Sequence, residues 1–296
     1  MQVGVAGLGR MGAAIAARLI ETGNEVVVWN RSPEKCAPLA KAGARIAADP
    51  AELAQAAEAT LTIVTDTAAI DAIYGGPSGL LSGSVAGKLI IEMSTVAPHV
   101  ETALEDRVRA KGAHFVECPV GGTTGPARQG RLIGLMGAEP ADAARAKPLL
   151  DQLCRRLEHC GPVGAGATMK LAINLPLMVY WQALGEALAL CRPLGIDPAR
   201  LIDLMSDSSG GANVLKVRGP AIARMLKGED PGEVGFTVEQ AIKDLRTMLS
   251  EGAARGIELP AVTQALASFE EAAGHGLRDT EAAGLAAYWS RRRAKS

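Results

Sequence analysis

The first residues whose types and spacing could do chemistry are Gly7-Leu8-Gly9-Arg10-Met11-Gly12, set directly behind the apolar run Gln2 to Ala6 and opening a helical stretch through Leu19. Such a turn at a strand end presents backbone N–H groups and a helix N-terminus to a pyrophosphate. Gly7 permits the tight turn, Gly9 lets phosphate approach the backbone, and Gly12 lets the helix pack close to the strand. A second apolar run, Glu25 to Trp29, ends in Asn30-Arg31-Ser32. NAD enzymes usually place an acidic residue about 20 positions beyond the glycines to bind the ribose 2′-hydroxyl. No carboxylate stands there, whereas Arg31 offers a planar cation, and Asn30 and Ser32 offer hydrogen bonds, to a 2′-phosphate. The expected cofactor is therefore NADP, with NADPH preferred over NADH. A second glycine-rich segment, Gly121-Gly122-Thr123, exposes N–H groups able to cradle a carboxylate or other oxyanion.

These groups need a scaffold, and its pattern is legible. Up to about residue 160, short β-branched runs alternate with Ala-rich helical stretches, the signature of a parallel sheet covered on both faces. The runs are Gln2 to Ala6, Glu25 to Trp29, Leu61 to Val64, Leu89 to Met93, His114 to Cys118 and Arg131 to Met136. Beyond Gly161-Pro162-Val163-Gly164-Ala165-Gly166 the alternation stops and helical spacing takes over. The expected fold is α/β, with a Rossmann-type parallel-sheet domain over residues 1–161 and an all-helical substrate and dimerisation domain over 162–296. A long helix beginning near Gly166 should join them, with the site in the cleft beside it. Asp197-Pro198 and Leu259-Pro260 mark helix starts, and another helix is expected from Thr237 to Arg255. Pro176 falls inside the long helix and predicts a bend just beyond Asn174.

Composition narrows the function classes. The 296 residues carry 31 Lys and Arg against 32 Asp and Glu, a net charge of −1, which gives no basic surface for nucleic acid. Arg291-Arg292-Arg293 reads as a solvated tail. Five cysteines, with no Cys-x-x-Cys pair, and four scattered histidines predict neither a metal site nor a disulfide framework. The chain starts on a strand-like segment with no signal pattern, so a cytoplasmic location is expected. Leu171 to Cys191 is interrupted by Asn174, Pro176, Gln182 and Glu186 and reads as a buried helix, not a membrane span.

Three later segments complete the pattern: Glu92-Met93-Ser94-Thr95-Val96-Ala97-Pro98, Cys118-Pro119-Val120-Gly121-Gly122-Thr123-Thr124-Gly125-Pro126, and Gly164 to Asn174. With the first glycine turn, their order and spacing resemble the β-hydroxyacid dehydrogenase family, which includes 3-hydroxyisobutyrate dehydrogenases and glyoxylate/succinic semialdehyde reductases. The resemblance covers nearly the whole chain. It implies an oxidoreductase acting on CH–OH groups, moving a hydride between NADPH and a small aldehyde or keto acid, or its hydroxy acid. It implies Lys170 as catalytic lysine with Asn174 as its partner, Thr95 near the nicotinamide, Lys243 closing over the cofactor, and Gly121, Gly122 and Thr123 holding the substrate carboxylate. The expected cofactor contacts are then Gly7, Leu8, Gly9, Arg10, Met11, Gly12, Asn30, Arg31, Ser32, Thr65, Asp66, Thr95 and Lys243. Lys170 and Asn174, four residues apart, share a helix face. A lysine there can stabilise and protonate the oxygen that becomes negative on hydride arrival.

The sequence departs from the family where the usual Ser-Gly-Gly becomes Gly-Gly-Thr, and where Ile173 replaces a common Asn. Both changes fall on the substrate side. Two rival readings stay open: an imine reductase, which usually carries Asp or Tyr in place of the lysine, and a non-catalytic NADP-binding protein. The apolar run Leu177-Met178-Val179-Tyr180-Trp181 suits a core or a subunit interface, and a homodimer or homotetramer is expected.

Overall fold

The computed structural model describes residues 1–292. Two compact units divide the chain at Ala172/Ile173, inside a helix.

The strands of the first unit are β1 (Gln2–Ala6), β2 (Glu25–Trp29), β3 (Arg45–Ile46), β4 (Ala59–Thr62), β5 (Leu89–Glu92), β6 (His114–Glu117), β7 (Val120–Gly121), β8 (Leu132–Gly137) and β9 (Cys154–Gly161). Its helices are α1 (Arg10–Glu21), α2 (Ala37–Lys41), α3 (Pro50–Ala56), α4 (Thr67–Tyr74), α5 (Pro98–Arg109), α6 (Thr124–Arg128) and α7 (Pro140–Leu150), and α8 (Ala165–Cys191) begins there. The sheet order is β3-β2-β1-β4-β5-β6-β8-β7, with β9 beside β8. From β1 the chain steps outward to β3, then returns to β4 on the other side of β1. In such sheets ligands bind outside the carboxyl ends of the strands, where the order reverses.

Both faces of the sheet are covered, which is why its strands read as unbroken apolar runs. One core packs Val3, Val5, Val28, Leu61, Ile91 and Val116 against Ile15 and Leu19 of α1 and Leu149 and Leu150 of α7. The other packs Val27, Ile90 and Phe115 against Leu53, Ile70, Tyr74, Leu104 and Val108. Each such fully buried aliphatic side chain contributes about 1.5–3 kcal/mol.

The sheet is not wholly parallel, contrary to the sequence expectation. β8 runs antiparallel to β6 and β7, because the chain continues from β6 into β7 in the same sense and then reverses through the short helix α6, without the full crossover that parallel pairing needs. β9 then pairs parallel with β8. It was invisible to pattern reading because Cys154-Arg155-Arg156-Leu157-Glu158-His159 is charged and largely exposed, as a sheet-edge strand often is.

The second unit continues α8 and adds α9 (Pro198–Asp207), α10 (Asn213–Lys227), α11 (Val238–Ala254), α12 (Pro260–Ala272) and α13 (Gly284–Ser290). Asp197 caps α9, its Oδ1 accepting from Ala199 N at 3.0 Å and Arg200 N at 3.3 Å, with Pro198 at the first helical position. Thr237 and Gln240 cap α11 reciprocally. α8 runs through Pro176 without a break in helical assignment, burying Met178, Trp181, Leu184 and Leu188. No helix among the described residues is long and apolar enough to cross a membrane.

The arginine run is not a solvated tail as far as it is described. Arg291 donates to the carbonyls of Met225 and Leu226, and Arg292 pairs with Glu271 beneath the rings of Tyr288 and Trp289. The acceptors, on α10 and α12, become adjacent only on folding. Arg293 lies outside the described residues.

Candidate active site

Between β1 and α1 the chain turns at Gly7, with φ +94, and Gly7 N donates to Trp29 O at 3.1 Å. A side chain at Gly12 would meet Gly7 O at 1.8 Å, so α1 sits on the turn as closely as backbone allows. A side chain at Gly9 would meet nothing within 4 Å. Gly9 is also the N-cap of α1, no side chain caps the helix, and its first bond runs from Ala13 N to Gly9 O at 2.9 Å. Open space in front of an uncapped twelve-residue helix fits a pyrophosphate.

At the end of β2, Arg31 is exposed and makes no ion pair among the described residues, which leaves its guanidinium available. Asn30 is differently employed from the sequence expectation. Its Oδ1 accepts from Leu8 N at 2.8 Å and its Nδ2 donates to Ser32 O at 3.0 Å. It ties the glycine turn to the β2 end, a role for which a short side-chain amide is suited because it carries both donor and acceptor.

Thr65 and Asp66 follow β4. Asp66 caps α4, accepting from Ala69 N at 2.9 Å, and Thr65 Oγ1 donates to its other oxygen at 3.2 Å. Thr95, partly buried, follows β5 in a loop tied to the one after β4: Ser94 Oγ accepts from Val64 N at 2.8 Å and Ser94 N donates to Glu92 Oε1 at 2.8 Å. Glu92 is wholly buried, receiving the hydroxyls of Thr62 and Tyr74. Burial pushes its carboxyl above the usual range, against the pull of the Ser94 and Thr62 bonds. Sequence reading assigned Glu92 no role. An acid closing an otherwise apolar strand was the available signal.

Gly121 ends β7 and Gly122, at φ +126, makes the strand-exit turn; a side chain there would meet Leu132 at 2.9 Å. Thr123 leads into α6, its hydroxyl not used as a cap.

Lys170 lies partly buried on α8, one turn beyond Gly166, and Asn174 follows four residues later on the same helix. Asn174 is buried, and its Nδ2 donates to Asp244 Oδ2 at 3.0 Å. The amide expected to face substrate thus has one proton engaged by a carboxylate. Lys243 Nζ pairs with Asp244 Oδ1 at 2.6 Å. Asp244 was not singled out from sequence, although it interrupts the buried stripe Val238, Ala241, Ile242, Leu245 and Met248.

Residues 2–161 match the family model described as the NAD binding domain of 6-phosphogluconate dehydrogenase, and residues 164–289 match the NAD-binding region of NADP-dependent 3-hydroxyisobutyrate dehydrogenase. Glyoxylate/succinic semialdehyde reductase 1 of Arabidopsis thaliana is 32% identical over 281 residues, covering 95% of this chain and 96% of the relative. The chain belongs to the β-hydroxyacid dehydrogenase family. A further relative of this β-hydroxyacid dehydrogenase is the 3-hydroxyisobutyrate dehydrogenase of Pseudomonas aeruginosa, 34% identical over 251 residues and covering 84% of each chain. Among solved structures, Psf3 in complex with NADP+ and 2-OPP has a TM-score of 0.85 at 26% identity, over 97% of this chain and 99% of that one. The β-hydroxyacid dehydrogenase is thus an oxidoreductase using a nicotinamide cofactor on a hydroxyl/carbonyl pair, the reading these relationships favour over an imine reductase or a non-catalytic binder.

Proposed function

We propose that the chain is an NADPH-preferring reductase of small aldehydes or keto acids, with Lys170 as proton donor, working in the cytoplasm as a homodimer or homotetramer. The observation that carries it is Lys170, partly buried on the second turn of α8 in a chain whose glycine turn fits a dinucleotide. A bound dihydronicotinamide supplies the hydride. The carbonyl oxygen then gathers negative charge, which the Lys170 ammonium stabilises and neutralises with its proton. The N–H groups of Gly121, Gly122 and Thr123, with the uncommitted Thr123 hydroxyl, hold the substrate's carboxylate or other oxyanion. The apolar residues Leu190, Leu194, Leu204 and Val217, exposed on the helical unit, favour an oligomer.

NADPH oxidation with glyoxylate, succinic semialdehyde, methylglyoxal and a cyclic imine tests this reading. Turnover of the acids well above methylglyoxal is expected; turnover of the imine alone would overturn it. The cofactor preference rests on Arg31. Arg31→Ala should weaken NADPH at least about tenfold while changing NADH less than about twofold, since a charged hydrogen bond is worth roughly 1.5–3 kcal/mol. Equal losses in two fluorescence titrations would remove the assignment.

A further inference from the structure

We propose that Glu117 is a positioning residue for Lys170: its carboxylate clamps the first turn of α8 to the end of β6 and so sets the helix face on which the lysine stands. This inference rests on the assignment of Lys170 as proton donor. Glu117 is the last residue of β6 and wholly buried. Its Oε1 accepts from Gly164 N at 2.8 Å, Gly166 N at 2.7 Å and Ala167 N at 3.3 Å. One oxygen from a distant strand therefore satisfies three amides at the start of the helix.

Space is cleared for this clamp from two sides. A side chain at Gly137 on β8 would meet Glu117 Oε1 at 2.1 Å, and one at Gly166 would meet Leu135 O at 2.3 Å and the same carboxylate oxygen at 3.1 Å. The helix thus rests on β8 and the carboxylate together. Lys170 lies four residues after Gly166 and three after Ala167, hence on the face that the clamp holds. A shift of the first turn carries the amine with it, and misplacements of about 1 Å can cost a factor of 10² in rate.

The charge on the clamp matters as well as its shape. An ionised carboxylate binds N–H groups about twice as strongly as a neutral acceptor and faces the positive end of the helix. Burial pushes the Glu117 carboxyl up to about 7, with the three amides pulling the other way. The groups facing it are Glu101 and Glu105 from α5, its register partner Glu92 from β5, Cys118 just beyond the end of β6 and Cys160 from β9. On the opening turns of α8 the ionisable side chain is Lys170. Glu101 is buried with neither oxygen hydrogen-bonded among the described residues, and burial followed by Glu92 and Glu117 drives its pKa well up. Glu117, by contrast, has three N–H donors that favour its charged form.

Ionisation grows as pH rises through the neutral range, so the clamp tightens and kcat climbs. The test is kcat and KM from pH 5.5 to 9 for the full-length parent, Glu117→Gln, Glu117→Asp and Lys170→Ala, with NADPH and the best aldehyde of the panel. The parent should lose about tenfold in kcat from pH 8 to pH 6. Glu117→Gln should be slower at pH 8 and flat across that interval, with KM for NADPH within twofold of the parent. Glu117→Asp, a carboxylate one methylene shorter, should keep an acid limb with a displaced midpoint. A Gln variant that retains the parental limb overturns the proposal; if that variant does not fold, an Asp midpoint identical to the parent's does so. Near-parental kcat in Lys170→Ala would instead remove the proton-donor assignment, whereas a dead lysine variant beside an unaltered Gln profile removes the clamp alone.

Discussion

Lys170→Ala is expected to lower kcat for aldehyde reduction by at least about 10²-fold, the scale of general acid catalysis, with NADPH affinity within about twofold of the parent. The split follows from location. The glycine turn that fits the pyrophosphate lies between β1 and α1, whereas Lys170 belongs to α8. Removing the amine therefore strips the nascent alkoxide of its proton source without touching the dinucleotide cradle. Lys170→Arg refines the result, since guanidinium keeps the charge but does not release a proton near neutral pH. Partial recovery in the arginine variant would assign part of the rate to charge stabilisation and the remainder to proton delivery. Steady-state NADPH oxidation together with fluorescence titration of NADPH measures both halves, and undiminished turnover in the alanine variant would dismiss the lysine from the chemistry.

Gly9→Ala and Gly12→Ala should both abolish tight NADPH binding, by at least about 10²-fold, yet by different routes. The added methyl at residue 12 would lie 1.8 Å from Gly7 O, which is backbone and cannot swing aside, so α1 must retreat. Overpacking of this kind costs roughly 1–3 kcal/mol or more and should lower the melting temperature of the nucleotide-free protein. The methyl at residue 9 meets no protein atom within 4 Å, so that variant should melt with the parent when no nucleotide is present. Its loss appears only when NADPH is added, because the methyl fills the approach of the pyrophosphate; a loss of 10²-fold is about 2.7 kcal/mol. Thermal melts with and without NADPH separate the two routes. Normal NADPH stabilisation of the Gly9 variant would mean that the nucleotide does not approach that backbone.

Much of the scaffold could be read in advance because its signals are local. Strands β1 and β2 carry their own apolar runs, and Asp197-Pro198 and Thr237 mark helix starts by their side chains alone. What escaped depends on partners distant in sequence. β3 and β9 are exposed edge strands whose pairing, not their composition, makes them strands. The reversal of β8 is decided by where β7 docks. The site shows the same division. Gly7, Gly9 and Gly12 announce themselves, while the partners of Glu92, Glu117 and Asp244 are set only when folding encloses these acids with hydroxyls, amides and a lysine. Asn30 and Asn174 were noticed, but their bonds to Leu8 and Asp244 span 22 and 70 residues, beyond any local pattern.

The two bonds of Asn30 also bear on how coenzyme choice can drift in such a chain. Because that amide rivets the glycine turn to the β2 terminus, its exposed neighbour Arg31 can be exchanged without loosening the rivet. On the proposed assignment of Arg31 to the 2′ substituent, that contact is mechanically insulated from the glycine turn, so selectivity between the two nicotinamide coenzymes can be retuned one side chain at a time. Altering the asparagine itself would disturb both at once.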